Sequence, residues 1–292
     1  MQIYNKQDLV KELEILGLPE GGLINLKISL GSIGYIIDGA KTLIDALLEV
    51  VGPRGTISQP AFVNSYFLPM TEAQSHEVSG RYSPSYAGAV ANAMVWHPDA
   101  YCSTHPIQRF AAIGYRAREL MEAHKPESFA YDVLRVMAQE GGKTLKIGTD
   151  KKAVGIGTTH VAVELVGLKR NNDVQKGLNY FDYRDKQIKL FKRHWPTVCQ
   201  PVFEKFTSVW VDAIEARGKI GLADATIADM GRALDAEVAL LKSQPEAILC
   251  GRYYCPCCAG WSHTSYSNEA KLLYYICVMG VIGKQLLKKY ID

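Results

Sequence analysis

Leu23-Ile24-Asn25-Leu26-Lys27-Ile28-Ser29, the turn Leu30-Gly31-Ser32-Ile33-Gly34, and the run from Gly39 to Val51 closed by Gly52-Pro53 decide the fold. The first part alternates loosely between apolar and polar residues, the period of a strand. The second is a turn of small residues. In the third, Leu43, Ala46, Leu47 and Val50 recur on one helical face, and a glycine followed by proline stops the helix. Thr56 to Pro60 then reads as a second strand. Strands alternating with helices predict an α/β architecture, with the sheet order left open.

Working outward, Leu9, Val10, Leu13 and Leu16 make Lys6 to Leu16 an amphipathic helix that ends at Gly17. Helices are expected at Ala87 to Val95, Tyr115 to His124, Phe129 to Gln139, Thr158 to Leu168, Pro201 to Arg217 and Met230 to Lys242. An amphipathic helix from Glu269 to Tyr290 closes the chain, and strands are expected at Thr144 to Ile147 and Leu222 to Ile227. Residues 64 to 86 carry turn formers and little periodicity, as a long and often functional loop does. The expected organisation is a single domain over 1–292, with a peripheral segment at 171–200, β-ribbon in form, and a C-terminal extension at 246–292.

Of the 292 residues 48% are hydrophobic and 22% charged, enough apolar surface for a sizeable core. The net charge of +3 is spread among mixed signs, which excludes the concentrated basic face of a nucleic-acid binder. No apolar run approaches a membrane span, and Met1 to Lys6 has neither a basic nor an apolar export region. A cytoplasmic protein without a membrane or nucleic-acid partner is expected, and homo-oligomerisation is left open. Seven cysteines, an odd number, argue for reduced thiols over a disulfide scaffold.

Three segments carry residues suited to chemistry. In Gly157-Thr158-Thr159-His160-Val161-Ala162-Val163-Glu164, a threonine hydroxyl can cap the helix. His160 then lies in the first turn with Glu164 on the same face. A carboxylate beside an imidazole fixes its tautomer, as a general base requires. By spacing alone, a capped helix with an incidental ion pair is the commoner arrangement. Backbone N–H groups in Ser29 to Gly34 could hold a phosphate or a pantetheine amide. That stretch matches neither the P-loop nor the dinucleotide fingerprint, and alone it is an ordinary strand-to-helix turn. Cys102-Ser103-Thr104-His105-Pro106 is a polar turn before an apolar strand, lining a cleft or only reversing the chain.

Read in order, these segments resemble the aminoglycoside 3-N-acetyltransferase family. The resemblance rests on Ser29-Leu30 and Gly34, on the helix closing with Val51-Gly52-Pro53-Arg54-Gly55-Thr56, and on Ser83-Pro84. It continues through Ser103-Thr104-His105-Pro106 with Ala111-Ala112-Ile113-Gly114, through Thr159, His160 and Glu164, and through Gly218-Lys219-Ile220-Gly221-Leu222-Ala223. It spans roughly residues 8 to 245, and several co-linear motifs are far more specific than any one. It implies a mixed central sheet flanked by helices, here with a helical, cysteine-containing C-terminal extension. It also implies an acyltransferase that uses acetyl-CoA or another acyl-CoA as co-substrate. Ser29, Leu30, Ser32, Gly34, Ser103, His105 and Thr159 would hold coenzyme A, and His160, oriented by Glu164, would deprotonate the acceptor amine. Two departures stand out. The family pattern has a second polar His or Asn and then Ser after His105-Pro106, where this chain reads Ile107-Gln108-Arg109. Its His and Glu are three apart, whereas His160 and Glu164 are four apart.

Residues 64 to 86 hold only Glu72 and Glu77 as acids, and Asn171 to Arg193 is rich in Lys and Arg. That charge suits a nucleotide-linked amino sugar on the way to a surface glycan better than a polycationic aminoglycoside, which is the alternative acceptor. Cys250, Cys255, Cys257, Cys258 and His263 suggest zinc, yet buried thiols packing a final helix are favoured and no metal ligand is assigned. Trp261, His263 and Tyr266 are further candidates to line the acceptor pocket. Competing classes are a binding module that kept the fold without the chemistry, and a thiol-dependent transferase acting through Cys102.

Overall fold

A computed structural model describes residues 2–149, 155–169, 176–193 and 198–252, together with Cys255, Cys258, Trp261, Ile276, Met279, Gly280 and Gly283. The helix expected from Glu269 to Tyr290 falls largely outside these residues, as do His263 and Tyr266. Seven strands form the central sheet, in the order Ile214–Ile220, Ala223–Asp229, Lys143–Ile147, Leu23–Ile28, Thr56–Pro60, Phe110–Gly114, Tyr101–Cys102. The three central strands run parallel and the outer pairs antiparallel, so the sheet is mixed, as the family resemblance implied.

Each strand of the parallel centre offers one face to each of two cores. Ile24 and Leu26 point toward the helices Lys6–Leu16, Ala40–Val51 and Ala89–Val95, joining Leu9, Leu13, Leu43 and Leu47. At roughly 1.5–3 kcal/mol for each buried leucine or isoleucine, this layer alone makes the N-terminal half cohesive. The opposite face packs against Ala117–Ala123, Asp132–Gln139, Thr159–Leu165 and Met230–Ser243. Period-two alternation puts Asn25 and Lys27 on that second face.

The 171–200 region contains the expected ribbon, an antiparallel hairpin of Lys176–Asp182 and Gln187–Lys192. Tyr66–Phe67 and Val78–Ser79, within the long loop, pair with its first strand. Pro201 to Arg217 departs from the single helix expected. Val202–Lys205 is one helical turn, 3-10 turns follow at Phe206–Ser208 and Val211–Ala213, and Ile214–Ile220 is a strand. Phe203, Phe206, Val209 and Trp210 suit successive 3-10 turns as well as an α-helix. Beyond them, the ladder to Ala223–Asp229 captures the chain.

A buried carboxyl joins the helices Thr159–Leu165 and Met230–Ser243. Glu237, with no exposed surface, accepts hydrogen bonds on Oε1 from the Thr159 hydroxyl (2.6 Å) and the Trp210 indole (2.8 Å). Its Oε2 has no hydrogen-bond partner among the described residues. Burial raises this carboxyl to about 7, against the opposing bonds from Thr159 and Trp210. The folded chain therefore holds the proton more tightly than the unfolded chain. The associated stability is complete below about pH 4.5 and is lost as pH rises to about 7.

Glu237→Gln keeps an acceptor for Thr159 and Trp210 but cannot ionise. Denaturant unfolding should show wild-type stability falling relative to this variant by roughly 3 kcal/mol between pH 4.5 and 7. A constant difference would mean that the carboxyl titrates in the folded chain as it does in the unfolded chain. Gly114, at φ 118°, has no room for a side chain, since a Cβ would stand 2.2 Å from the Gly55 carbonyl oxygen. Gly114→Ala should cost about 2 kcal/mol or more, read as a lowered denaturation midpoint.

Candidate active site

The backbone entering the His160 helix is clamped before the histidine is reached. Thr144 donates its hydroxyl to the Ile156 carbonyl (2.9 Å), and the Asn25 amide donates to Thr144 Oγ1 (3.0 Å) and to the same carbonyl (3.4 Å). Gly157 follows at φ 111°, where a Cβ would lie 3.2 Å from Leu134 Cδ1 and 3.5 Å from both Asn25 Nδ2 and Lys27 Cε. Only glycine meets both the positive φ and the tight fit. Neither threonine caps the helix as expected. Thr158 makes no side-chain cap, and the Thr159 hydroxyl is committed to Glu237.

His160 then stands with its ring flat against Tyr131, centroids 4.2 Å apart and planes 4° from parallel. Phe203 meets it edge-on at 5.9 Å. The ring is half-buried. Dense surroundings are the chief cause lowering its pKa, and the charges of Lys27 and Arg193 add to that, pushing it down to about 3. His160 is a neutral imidazole at physiological pH. Lys27, on the adjacent strand, is itself lowered to about 8, by burial first and then by Lys146.

Glu164 does not orient this ring. No hydrogen bond joins the two side chains, and Glu164 is turned toward the helix Asp132–Gln139, where Arg135 lowers and Asp132 raises a pKa that burial has already raised. Spacing of four places two residues on one helical stripe, but the neighbouring helix decides which of them it engages. Tyr131, which the sequence reading passed over, takes the positioning place. Its hydroxyl accepts a 2.6 Å bond from the Gln108 amide, so the departure Ile107-Gln108-Arg109 has a structural use. Arg109, 1% exposed, donates to the carbonyls of Gly80, Arg81 and Ser83, and so fixes the inner end of the long loop.

The residues expected to hold coenzyme A fall into separate places. Ser29 to Gly34 is a tight turn: Ser32 donates to Ser29 Oγ (2.9 Å), and its hydroxyl lies 3.4 Å from the Gly148 carbonyl. Gly34, at φ 112°, lies against Tyr4, whose Cε2 would be 3.0 Å from a Cβ there. Leu30 is half-buried, and the helix Leu30–Ile33 is a single turn, too short to act as an anion site. Ser103 and His105 follow the far edge strand, three strand positions or roughly 14 Å across the sheet. Ser103 Oγ accepts from the Phe110 N–H (3.0 Å) and meets His124 Nδ1 (3.1 Å). His105 Nδ1 accepts from the Gln108 N–H (3.0 Å), and its ring stacks on His124 at 4.9 Å. Both side chains are thus used internally, although their turn walls a cleft of about 310 Å3 with Ser79, Arg81 and Tyr183. Thr159, fully buried on Glu237, cannot offer its hydroxyl to a ligand.

Cys102 also lines that cleft, but burial raises its thiol against the opposing charges of Arg109 and Arg81. This is not the environment of an activated thiolate. Trp261 is 1% exposed and packs in the core, which removes it from the acceptor pocket. Cys250, Cys255 and Cys258 converge with Cys199, a residue that the tail alone did not implicate.

The family model described as aminoglycoside 3-N-acetyltransferase matches residues 26–242. Aminoglycoside N(3)-acetyltransferase IX of Micromonospora chalcea is 28% identical over 250 residues, 75% of this chain and 87% of that protein. Aminoglycoside N(3)-acetyltransferase VIII of Streptomyces fradiae is 29% identical over 159 residues, 48% of this chain and 54% of its own length. Among solved structures, AAC-IIIb in binary complex with CoASH superposes with a TM-score of 0.71 at 19% identity, covering 83% of this chain and 98% of that one. The YokD protein of Bacillus subtilis gives 0.70 at 22% identity, covering 82% and 100%. These superpositions bear on the fold. The family match takes in the sheet from Leu26 onward, Thr144, Ile156 and the helix that carries His160, and the chain belongs to the aminoglycoside 3-N-acetyltransferase family.

Proposed function

We propose that this chain transfers the acyl group of a coenzyme A thioester to a primary amine of an aminoglycoside, with His160 accepting the proton that the amine loses. The observation that carries the reading is a neutral imidazole in the helix-opening motif of an acetyltransferase family, held against Tyr131 and not committed to any carboxylate among the described residues. The relatives are named for aminoglycosides, and AAC-IIIb was solved with CoASH, which favours these substrates over the nucleotide-linked sugar expected from charge alone.

In the reaction the amine nitrogen attacks the thioester carbon, a C–N bond forms and the C–S bond breaks. His160 takes one proton from the nitrogen and returns it to the departing thiolate. Lys27 and Arg193 supply positive charge beside the ring. They favour loss of a proton from the incoming ammonium. An anion bound against them would raise the basicity of His160 as the substrates assemble. The cleft beside Ser103 and His105 offers coenzyme A a wall, with Arg81 as a cation at its edge.

The same two cations favour a second reading, in which the acceptor itself carries phosphate. Thiol release from acetyl-CoA should be measured with gentamicin, sisomicin and apramycin beside a UDP- or dTDP-linked amino sugar. Turnover of an aminoglycoside supports the first reading, turnover of the nucleotide sugar alone replaces it with the second, and no turnover with either defeats both. His160→Asn should lower kcat/KM by about 10²–10⁴. Because His160 is neutral well below pH 6, kcat/KM for wild type should rise with pH along a single limb set by the substrate ammonium. An additional inflection near 6.5 would show that the imidazole titrates normally.

A further inference from the structure

The cysteines of the tail and one cysteine of the body form a cluster that acyl transfer does not use. The sulfur atoms of Cys199, Cys250, Cys255 and Cys258 all lie within 4.8 Å of one another. They come from two stretches far apart in sequence, with Cys199 and Cys255 separated by 56 positions. Cys255-Pro256-Cys257-Cys258 contains a Cys-x-x-Cys pair, at positions 255 and 258.

The geometry points to one zinc ion bound by these four cysteines as a closed tetrathiolate. A tetrahedron with zinc–sulfur bonds of about 2.3 Å has sulfur–sulfur edges of about 3.8 Å. Cys199 Sγ and Cys255 Sγ stand 3.7 Å apart, which matches that edge. The spacing is far beyond the roughly 2 Å of a disulfide. The local backbone is that of a ligand turn. Cys258 donates its N–H to the Cys255 carbonyl (3.1 Å), and the Cys250 N–H donates to Cys258 Sγ (3.2 Å). An amide aimed at sulfur stabilises a thiolate. Gly251, at φ 78°, makes the bend after the first of the tail ligands.

Charge and burial agree with the metal. Four thiolates and one zinc ion carry a net charge of about −2, and the ammonium of Lys205 lies beside Gly251 while donating to the Leu249 carbonyl at 2.6 Å. Cys255 and Cys258 are buried, and Cys199 and Cys250 are half-buried. Four protein ligands leave no open position, so the ion is structural. It closes a long loop between body and tail and fixes the helix Val202–Lys205, which starts three residues after Cys199 and presents Phe203 to His160. On binding, each thiol gives up its proton to solvent, and no oxidant is required.

The test is elemental analysis of the full chain purified without a metal-affinity step. About one zinc per chain is expected, released by a mercurial thiol reagent and lost in Cys255→Ser and Cys258→Ser but kept in Cys102→Ser. Should the serine variants not fold, wild type grown on cobalt in place of zinc should show the visible absorption and thiolate charge-transfer band of a tetrahedral Co(II)–thiolate site. Removing the zinc should lower the melting temperature by about 5 °C or more. Less than about 0.2 zinc per chain from zinc-supplemented cells, iron at full occupancy, or undiminished zinc in Cys258→Ser would overturn the assignment.

Discussion

The carbonyl oxygen of Ile156 receives hydrogen bonds from two neighbouring strands, and the position of His160 follows from that constraint. A chain that leaves a sheet and turns into a helix beneath other helices must satisfy every backbone group it buries. Asn25 and Thr144 do so from the parallel centre, where the adjacent strands are held in register by their own ladder. The next residue, Gly157, can then swing through positive φ close to Lys27, and the helix begins at a fixed point and angle. Glu237 secures the opposite side of that start through Thr159. The histidine is placed by polar contacts at Ile156, four residues before it, and at Thr159, one residue before it, the latter to a helix residue 77 positions after it.

The electrostatics of the site trade base strength for availability. Burial, two cations and the first turn of a helix all oppose an imidazolium, and no carboxylate among the described residues is hydrogen-bonded to the ring in compensation. An imidazole held in this way stays neutral at physiological pH, and an anion bound beside it would raise its basicity. Stacking on Tyr131 provides the orientation that a paired carboxylate would otherwise give, and it does so without raising the pKa. Gln108 holds the tyrosine in turn. The contacts that orient the ring therefore run from Gln108 through Tyr131. With Glu164 turned toward Arg135, the ring depends on Tyr131.

Much of this architecture was legible from periodicity. Lys6–Leu16 and Thr56–Pro60 coincide with the expected elements, because their apolar residues face one core and their ends carry explicit stops. The Pro201 to Arg217 stretch was misread because its aromatic spacing satisfies two kinds of helix, and only the partner strand decides where helix gives way to ladder. Site residues were legible as motifs but not as contacts. Thr159, Ser103 and His105 are indeed close to important structure, yet their polar atoms are turned inward to Glu237, His124 and Gln108. Hydroxyl and imidazole groups announce hydrogen bonding, not the direction in which it is used. Glu237 was invisible for the same reason, since a glutamate inside an amphipathic helix reads as solvated until its neighbours are known.

The cysteine cluster and His160 are less independent than their distance in sequence suggests. Phe203 forms one wall of the His160 environment, and its helical turn hangs from Cys199 on one side and from Lys205, bonded to the tail at Leu249, on the other. A four-residue helix has little stability of its own. Its place must come from what grips its ends, and here both grips lead to the tail. A tetrathiolate ion at that point would make the tail a buttress for the wall that faces the base, giving the extension a reason to carry buried cysteines and Trp261 into the body's core. The edge of Phe203 against the imidazole would then be set by metal–sulfur bond lengths, a far stiffer support than van der Waals packing of a single helical turn.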